Sequence, residues 1–294
     1  MESMGGAKRT PARSQPAPVK RLGKLVPLSI LAAEDNPVNQ KLLLRVLKEI
    51  GYEADVVSNG VEVLSAVKQK RYDIIFMDVH MPEMDGLEAT RVMMSIMPRE
   101  ERPVIVAITA DALQGDREKC VQAGMDDYIT KPIRIADIEG VLQRWSSKAA
   151  RQPAQPPAAS LLTVEELEGS MGERIRQLGL ETDPTFVIEL IESYAPLFKD
   201  LSRAIEEACT KRDEGKLQYV AHSLKGASLN IGAADLGKIC KSIEEFANKS
   251  DIDSAQNLLP ALQEAMKGTT SALDTIKAKL SKGIQSGSGT NSRG

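Results

Sequence analysis

Aromatic residues make up only 3% of the 294 positions, so any core here has to be packed from aliphatic side chains. Cysteine is nearly absent: Cys120, Cys209 and Cys240 are odd in number, far apart and never arranged as C-x-x-C. That spacing argues against a disulfide framework or a thiolate metal site and favours a reducing compartment, so a cytoplasmic location is expected. Long apolar runs are missing too. The stretch around Val104–Ala107 falls far short of the roughly 20 residues that span a bilayer, and the N-terminus has no apolar signal core, so no membrane insertion is expected. The net charge of −3 offers no attraction for nucleic acid, and no helix-turn-helix or basic, aromatic-interleaved face follows from the pattern. No G-x-x-x-x-G-K-[ST] loop is present, which removes the usual ATP-phosphate cradle.

What is present is enough material for two domains, with 42% hydrophobic and 27% charged residues. Residues 1–27, rich in Pro, Ala and Gly with six Lys or Arg against one Glu, read as a disordered basic tail. Residues 147–160 form a Pro/Ala-rich linker, and the Ser/Gly/Asn run within 283–294 reads as a disordered end.

Between 28 and 146, short β-branched or aliphatic runs alternate with helical patterns. Strands are expected at Leu28–Ala33, Ala54–Val57, Asp73–Met77, Val104–Ile108 and Asp127–Thr130. Helices are expected at Val38–Glu49, Val61–Lys68, Leu87–Met97, Gln114–Ala123 and Ile135–Trp145. Five βα units in series predict an α/β, doubly wound, parallel five-stranded sheet covered on both faces. The region 161–282 has almost no strand signal. Asp183-Pro184 reads as an N-cap with proline at the first helical position, opening a helix to about Lys211. Further helices at Gly215–Ile231, Ala234–Asn248 and Ile252–Leu280, the last kinked at Pro260, predict an antiparallel all-α bundle.

Open parallel sheets bind ligands beyond the carboxyl ends of their strands. The residues falling there are Glu34 and Asp35 after the first strand, Asp78 after the third, Thr109 after the fourth and Lys131 after the fifth. Three neighbouring carboxylates repel and need a compensating cation, and an oxygen-only ligand set favours Mg²⁺. Asp78 is then a nucleophile toward a phosphoryl group, and Asp35 holds the metal with Glu34 acting through water. Lys131 neutralises charge on the phosphoryl oxygens, and the Thr109 hydroxyl donates to one of them. Taken singly, each element has a plainer role: Glu34-Asp35-Asn36-Pro37 is a capped turn, Thr109 a strand end, Lys131 a solvated charge. Their joint placement on one rim is what points to chemistry.

The set Glu34-Asp35-Asn36-Pro37-Val38-Asn39, Met77-Asp78-Val79-His80-Met81-Pro82-Glu83-Met84-Asp85-Gly86, Ile108-Thr109-Ala110 and Tyr128-Ile129-Thr130-Lys131-Pro132 resembles the response-regulator receiver domain, in the version found in hybrid histidine kinases. The resemblance covers about 28–146. It implies a flavodoxin-like fold and Mg²⁺ on Asp35, Asp78 and the backbone carbonyl of His80. It also implies a cis bond before Pro132 and a switch in which Thr109 moves toward the phosphate as Tyr128 turns inward.

The second chemical feature is His222. Leu217, Val220, Ala221, Leu224, Ser228 and Ile231 form one helical stripe, and His222 lies about 140° from its centre. The imidazole is therefore expected to face solvent. Gly226, one turn on, costs helix stability of about 1 kcal/mol relative to Ala but clears space for an approaching active site. Lys225 is placed to stabilise a phosphate on His222. The run from Ala221 to Ala233 resembles the histidine-containing phosphotransfer (HPt) domain, a four-helix bundle. That resemblance implies that His222 is a phosphoacceptor, with Lys225 and Gly226 as supporting positions.

Together these readings predict a phosphorelay intermediate. Asp78 accepts a phosphoryl group from a phosphohistidine donor, and His222 passes phosphate to or from a receiver aspartate. The implied partners are a sensor histidine kinase, a downstream response regulator receiver domain, or both. Two alternatives differ in class: the C-terminal portion of a hybrid sensor histidine kinase, and an interaction module in which the receiver gates His222. With no ATP-binding signature, the chain itself is not expected to phosphorylate from ATP.

Overall fold

The computed structural model describes residues 27–110, 114–145 and 171–288. The basic tail and the Pro/Ala-rich linker fall outside these residues, apart from position 27. Five strands, β1 (Ile30–Ala33), β2 (Ala54–Val57), β3 (Ile74–Asp78), β4 (Val104–Thr109) and β5 (Asp127–Thr130), form one parallel sheet in the order β2-β1-β3-β4-β5. The chain leaves β1 to build β2 on one side and then crosses to place β3 on the other. The switch point thus lies between β1 and β3, where crossovers diverge and leave a crevice at the strand ends.

The helices α1 (Pro37–Ile50), α2 (Gly60–Gln69), α3 (Gly86–Ile96), α4 (Gln114–Ala123) and α5 (Ile135–Trp145) alternate with the strands. The period-2 alternation of each strand sorts its side chains onto two faces. Ile30, Ala32, Ile74, Phe76, Val106 and Ile108 pack with α1 and α5, while Leu31, Ala33, Ile75, Met77, Ile105 and Ala107 pack with α2, α3 and α4. Gly86 occupies the start of α3 because a Cβ there would lie 2.2 Å from the carbonyl oxygen of Asp78. Only glycine lets the helix begin so close behind that strand end.

The described residues of the second half are helical: α6 (Met171–Glu181), α7 (Pro184–Lys211), α8 (Glu214–Asn230), α9 (Ala234–Asn248), α10 (Ile252–Asn257) and α11 (Leu259–Ser288). The Asp183 side chain accepts from the Phe186 amide, and Pro184 follows it at the helix start, as the sequence predicts. Three differences stand out. Helix α6 is additional; Ile175 and Leu178 bury its short apolar stripe. The expected long last helix is two helices meeting at Leu258, with Pro260 in the opening turn of α11, where a missing N–H costs nothing. The last helix also continues to Ser288, into the Ser/Gly run. The α1/α5 side of the sheet and the bundle share one apolar cluster, joining Val46 and Leu47 to Tyr194, Phe198, Leu224 and Ile243. Among the described residues no helix is long and apolar enough to cross a membrane. The three cysteines are buried and free.

Candidate functional site

Four of the five strand-end residues picked out by the topology, Glu34, Asp35, Asp78 and Lys131, meet in the crevice. Carboxylate oxygens of Glu34, Asp35 and Asp78 lie within 4.8 Å of one another. Lys131 extends from the end of β5, placing Nζ 3.0 Å from Glu34 Oε2 and 2.5 Å from Asp78 Oδ2. Its side chain is only 2% exposed, so the ammonium is held by these two carboxylates and not by water. The peptide bond before Pro132 is cis, and the Lys131 amide donates to the Thr109 carbonyl at 2.7 Å. Thr109 is buried at the end of β4, in register with Thr130. The Asp78 Oδ1 oxygen accepts from the His80 amide at 3.1 Å. Tyr128 is half-buried, with the Arg117 guanidinium 5.5 Å from its ring centroid.

The turn at Glu34–Pro37 serves two roles at once. Asn36 caps α1 by accepting from the amides of Val38 and Asn39, while Asn39 Nδ2 donates to Glu34 Oε1 at 2.9 Å. Capping and chemistry are therefore not alternatives here; the cap fixes the angle at which Glu34 and Asp35 enter the crevice.

Electrostatics separates the three carboxyls. Burial pushes Glu34 well above its ordinary value; Lys131 opposes this, while Asp78 and Asp35 add repulsion. Asp35 is likewise raised, by burial and then by Asp78. Burial also works against ionisation of Asp78, but Lys131 and then His222 outweigh it and hold its carboxyl below the ordinary range. Of the three carboxyls, Asp78 is the one whose ionised form the surroundings favour.

His222 corrects the expectation of a solvent-facing ring: the residue is only 6% exposed. The stripe that was expected to face the bundle does so, with Leu217, Val220, Ala221, Leu224, Ser228 and Ile231 all buried. The opposite face of α8 is covered as well, by the rim of the sheet domain. The rings of His80 and His222 meet with centroids 3.9 Å apart. Tyr219 and Ser223, flanking His222 on α8, both donate to Asp35 Oδ2, the Ser223 bond at 3.4 Å. A Cβ on Gly226 would sit 3.5 Å from Lys131 Nζ and 3.6 Å from its Cδ, ordinary contact distances, so the lysine stem lies directly over this position. Helical periodicity assigns a residue to a face; it carries no information about which domain covers that face.

Three residues that sequence reasoning missed complete the site. Glu244 on α9 is 7% exposed and binds His222 Nδ1 through Oε1 and Lys225 Nζ through Oε2, each at 2.7 Å. Burial alone would raise its carboxyl, yet the bond to His222 and the charges of His222 and Lys225 hold it down at about 2. Glu244 falls within the apolar stripe Leu236, Cys240, Ile243, Ala247, and a carboxylate at a core position of a helix is a signal that could have found it. Lys225, expected to meet a phosphate, is committed in this state to Glu244 and is 2% exposed. Asn230 Nδ2 donates to Asn39 Oδ1 at 2.8 Å, and Asn39 in turn donates to Glu34. Tyr219 is the third, through its bond to Asp35. His222 Nε2 is buried without a hydrogen-bond partner. In the tautomer that donates Nδ1–H to Glu244, that nitrogen carries the lone pair. Burial, and then proximity to His222, depresses the neighbouring His80 to about 4.

Comparison with known proteins agrees with this division. Residues 30–143 match the family model of the response regulator receiver domain, and residues 186–273 match that of the Hpt domain. The chain is 30% identical over 249 residues to the sensor histidine kinase GacS of Pseudomonas protegens, covering 82% of this chain and 26% of that protein. It is 26% identical over 267 residues to the signal transduction histidine-protein kinase BarA of Escherichia coli, covering 90% of this chain and 28% of that one. The chain therefore spans about a quarter of the length of these relatives. Among solved structures, the receiver domain of a sensor histidine kinase from Pseudomonas aeruginosa, with a magnesium ion coordinated in its active site cleft, is 44% identical, with a TM-score of 0.38. That match covers 40% of this chain and 96% of that one.

Proposed function

Since this chain joins a response regulator receiver domain to an Hpt domain, we propose that it is a phosphorelay protein in which Asp78 and His222 are the two phosphoryl acceptors. The observation that carries this reading is that the lysine-bound Asp78 and an imidazole whose Nε2 is unpartnered lie at one domain junction, where His222 stacks on His80, two residues beyond Asp78. The implied partners are a sensor histidine kinase upstream and a response regulator receiver downstream.

The chemistry follows from the geometry. A carboxylate oxygen of Asp78 forms a P–O bond as the donor's P–N bond breaks and the electron pair returns to the donor imidazole. In the next transfer the Nε2 lone pair of His222 bonds to phosphorus, and the Asp78 P–O electron pair returns to the carboxylate. The Nδ1 proton remains on the hydrogen bond to Glu244, stabilising the cationic ring that results. Lys131, already against Asp78, neutralises charge on the phosphoryl oxygens. Thr109, buried at the end of β4, and the half-buried Tyr128 would be the switch elements whose movement reports phosphorylation.

The donor set fits Mg²⁺. One ammonium against three carboxylates leaves an excess of negative charge, and the ligands are all oxygen. Asp35, Asp78 and the His80 backbone carbonyl would hold the ion, with Glu34 acting through water. When bound, it supplies a second positive charge for the phosphoryl oxygens. Glu34 and Asp35, with carboxyls pushed up, resist ionisation when folded; above pH of about 4.5 their charge costs stability that a divalent ion recovers. Added Mg²⁺ at about 100 times its Kd should stabilise the chain by about 2.7 kcal/mol, seen as a rise in Tm of a few degrees. Asp35→Asn should abolish that rise; an unchanged Tm in the wild-type chain would exclude the site as a cation site.

The relay itself is tested by the chemistry of the label. With a small labelled phosphodonor and Mg²⁺, the chain should acquire two populations, an alkali-labile acyl phosphate and an acid-labile, alkali-stable phosphoramidate. A single population of the acyl type would remove His222 from the scheme. Labelled ATP alone should give neither.

The burial of His222 favours one accompanying reading, that the receiver gates it. In the closed arrangement an outside protein cannot reach Nε2, so exchange with a partner requires the junction to open. The junction is suited to opening: Tyr194 Oη, Asn230 Oδ1, His222 Nε2 and Arg45 Nε are buried there without hydrogen-bond partners. Polar atoms left unsatisfied weaken an interface and keep it reversible.

A further inference from the structure

Tyr219, His222, Ser223 and Gly226 recur along α8 at the spacing that places residues on one helix face. That face lies on the lip of the acidic crevice. Tyr219 Oη and Ser223 Oγ donate to Asp35 Oδ2, the Ser223 bond at 3.4 Å. The His222 ring stacks on that of His80 with centroids 3.9 Å apart, and Gly226 lies against the Lys131 stem. The three carboxylates differ in where their donors come from. Glu34 accepts from Asn39 at 2.9 Å and from Lys131 at 3.0 Å, and Asp78 accepts from Lys131 and the His80 amide, all within the sheet domain. Asp35 instead accepts its two hydroxyls from the helical domain.

We propose that Tyr219, seconded by Ser223, is a latch that alternates with a divalent cation on Asp35, so that cation binding in the crevice and docking of α8 over it oppose each other. This rests on the cation-site reading above. The reason is one of lone pairs and space. A carboxylate oxygen offers about two acceptor positions, and Asp35 Oδ2 already serves two hydroxyls. An ion that takes this oxygen displaces at least one of them. A Mg²⁺ ion also keeps several of its waters, and these need the room that the α8 face occupies over Asp35 and His80. When the domains part, Asp35 loses both hydroxyls and faces Asp78 with less compensation, which a divalent charge supplies. Hydroxyls and ion are thus alternative partners for one carboxylate. A hydrogen bond to a charged acceptor is worth about tenfold in an equilibrium, and by linkage the factor is the same in both directions. A junction open about 1% of the time would be open about 9% of the time once the ion is bound, so ion loading would also uncover His222.

The test reads the junction through its own histidines. His80 and His222 are the two in the chain, and their rings meet there. Diethyl pyrocarbonate acylates neutral imidazole, and mass spectrometry quantifies the adduct on the peptide that holds His222. In the wild-type chain, saturating Mg²⁺ should raise the rate of His222 acylation about tenfold, whereas NaCl of equal ionic strength should change it less than about twofold. Tyr219→Phe keeps the ring and removes the hydroxyl, so it should bind Mg²⁺ about 5–10-fold more tightly by calorimetry. Its His222 should react fast without the ion and respond to it by less than about twofold. Ser223→Ala should shift both readouts in the same direction by a smaller factor, about two, as the longer bond implies. Three results would overturn the latch and leave the cation site standing: Mg²⁺ that binds the wild-type chain without changing His222 acylation, an equal response to NaCl, or weaker Mg²⁺ binding in Tyr219→Phe. The last would make the hydroxyl a support for the metal ligand instead. No Mg²⁺ binding in either wild type or Tyr219→Phe would remove the cation site itself, and the latch with it.

Discussion

A chain carrying Asp78→Ala will take up no phosphoryl group at either acceptor from a small donor, whereas His222→Ala will keep all of its label on Asp78. The asymmetry follows from the order of transfer. Asp78 and His222 are both buried, so a dissolved donor reaches either only when the junction opens. Asp78 is the crevice carboxyl held below its ordinary range and already stands against Lys131, whereas the lysine beside His222 is engaged by Glu244. Loss of the fold does not confound the experiment. Removing Asp78 leaves Lys131 still paired with Glu34 at 3.0 Å, so the buried ammonium is not stranded and the penalty of about 3–5 kcal/mol for a broken buried pair is avoided. In Asp78→Ala the total incorporation should fall below about 1% of wild type, a loss of more than 2.7 kcal/mol in transition-state terms. In His222→Ala the acid-labile, alkali-stable fraction should vanish, and the acyl phosphate should persist longer because its exit to the imidazole is closed. Phosphoramidate on the Asp78→Ala chain would show that His222 is loaded independently, and the order of transfer would have to be reversed.

How far this site could be read in advance depends on what kind of information each part uses. Strand ends were legible because each buried run stops at a polar residue: Ala33 gives way to Glu34, and Met77 to Asp78. The helix opening at Asp183-Pro184 was legible because cap chemistry is local. Helix α6 was not, since Gly172, Gly179 and four charged residues leave it little intrinsic propensity; packing of Ile175 and Leu178 and the long reach of Arg174 stabilise it. The gathering of Glu34, Asp35, Asp78, Thr109 and Lys131 at the strand ends followed from topology alone. The environment of His222 did not, because it depends on an inter-domain surface. Gly226 shows the difference well. Its lack of a side chain is expected to leave room for an approaching active site, and the group that lies over it is Lys131 of the same chain.

The second large effect is expected at Glu244, the residue that periodicity alone could have flagged. A histidine must present one nitrogen as a lone pair and hold the other as N–H, and the two tautomers of a free imidazole are close in energy. At His222 the carboxylate on Nδ1 decides between them, leaving Nε2 toward the receiver. Without it the wrong tautomer competes and the ring loses its anchor, so transfer should slow by about 10–100-fold, as for other residues that orient an imidazole from behind. Glu244→Ala by itself would take from the buried Lys225 the carboxylate 2.7 Å away, and destabilise the bundle by about 3–5 kcal/mol. The kinetic comparison therefore uses Glu244→Gln, whose amide oxygen still accepts from Nδ1–H, and the pair Glu244→Ala with Lys225→Met, which removes both buried charges together. The glutamine variant should transfer within a few-fold of wild type, and the double variant should show the full loss. Stability supplies an independent signature. A carboxyl held at about 2 when folded, against an ordinary value near 4.5, contributes stability that is fully present above pH of about 4.5 and is lost as pH falls through 2. Wild type should gain stability from pH 2 to 4.5 relative to Glu244→Gln, measured by denaturant midpoint; Glu34 and Asp35, common to both chains, cancel in the difference. If the double variant transferred at the wild-type rate, the orientation of His222 would have to come from the receiver side of the junction, with His80 as the remaining ring in contact.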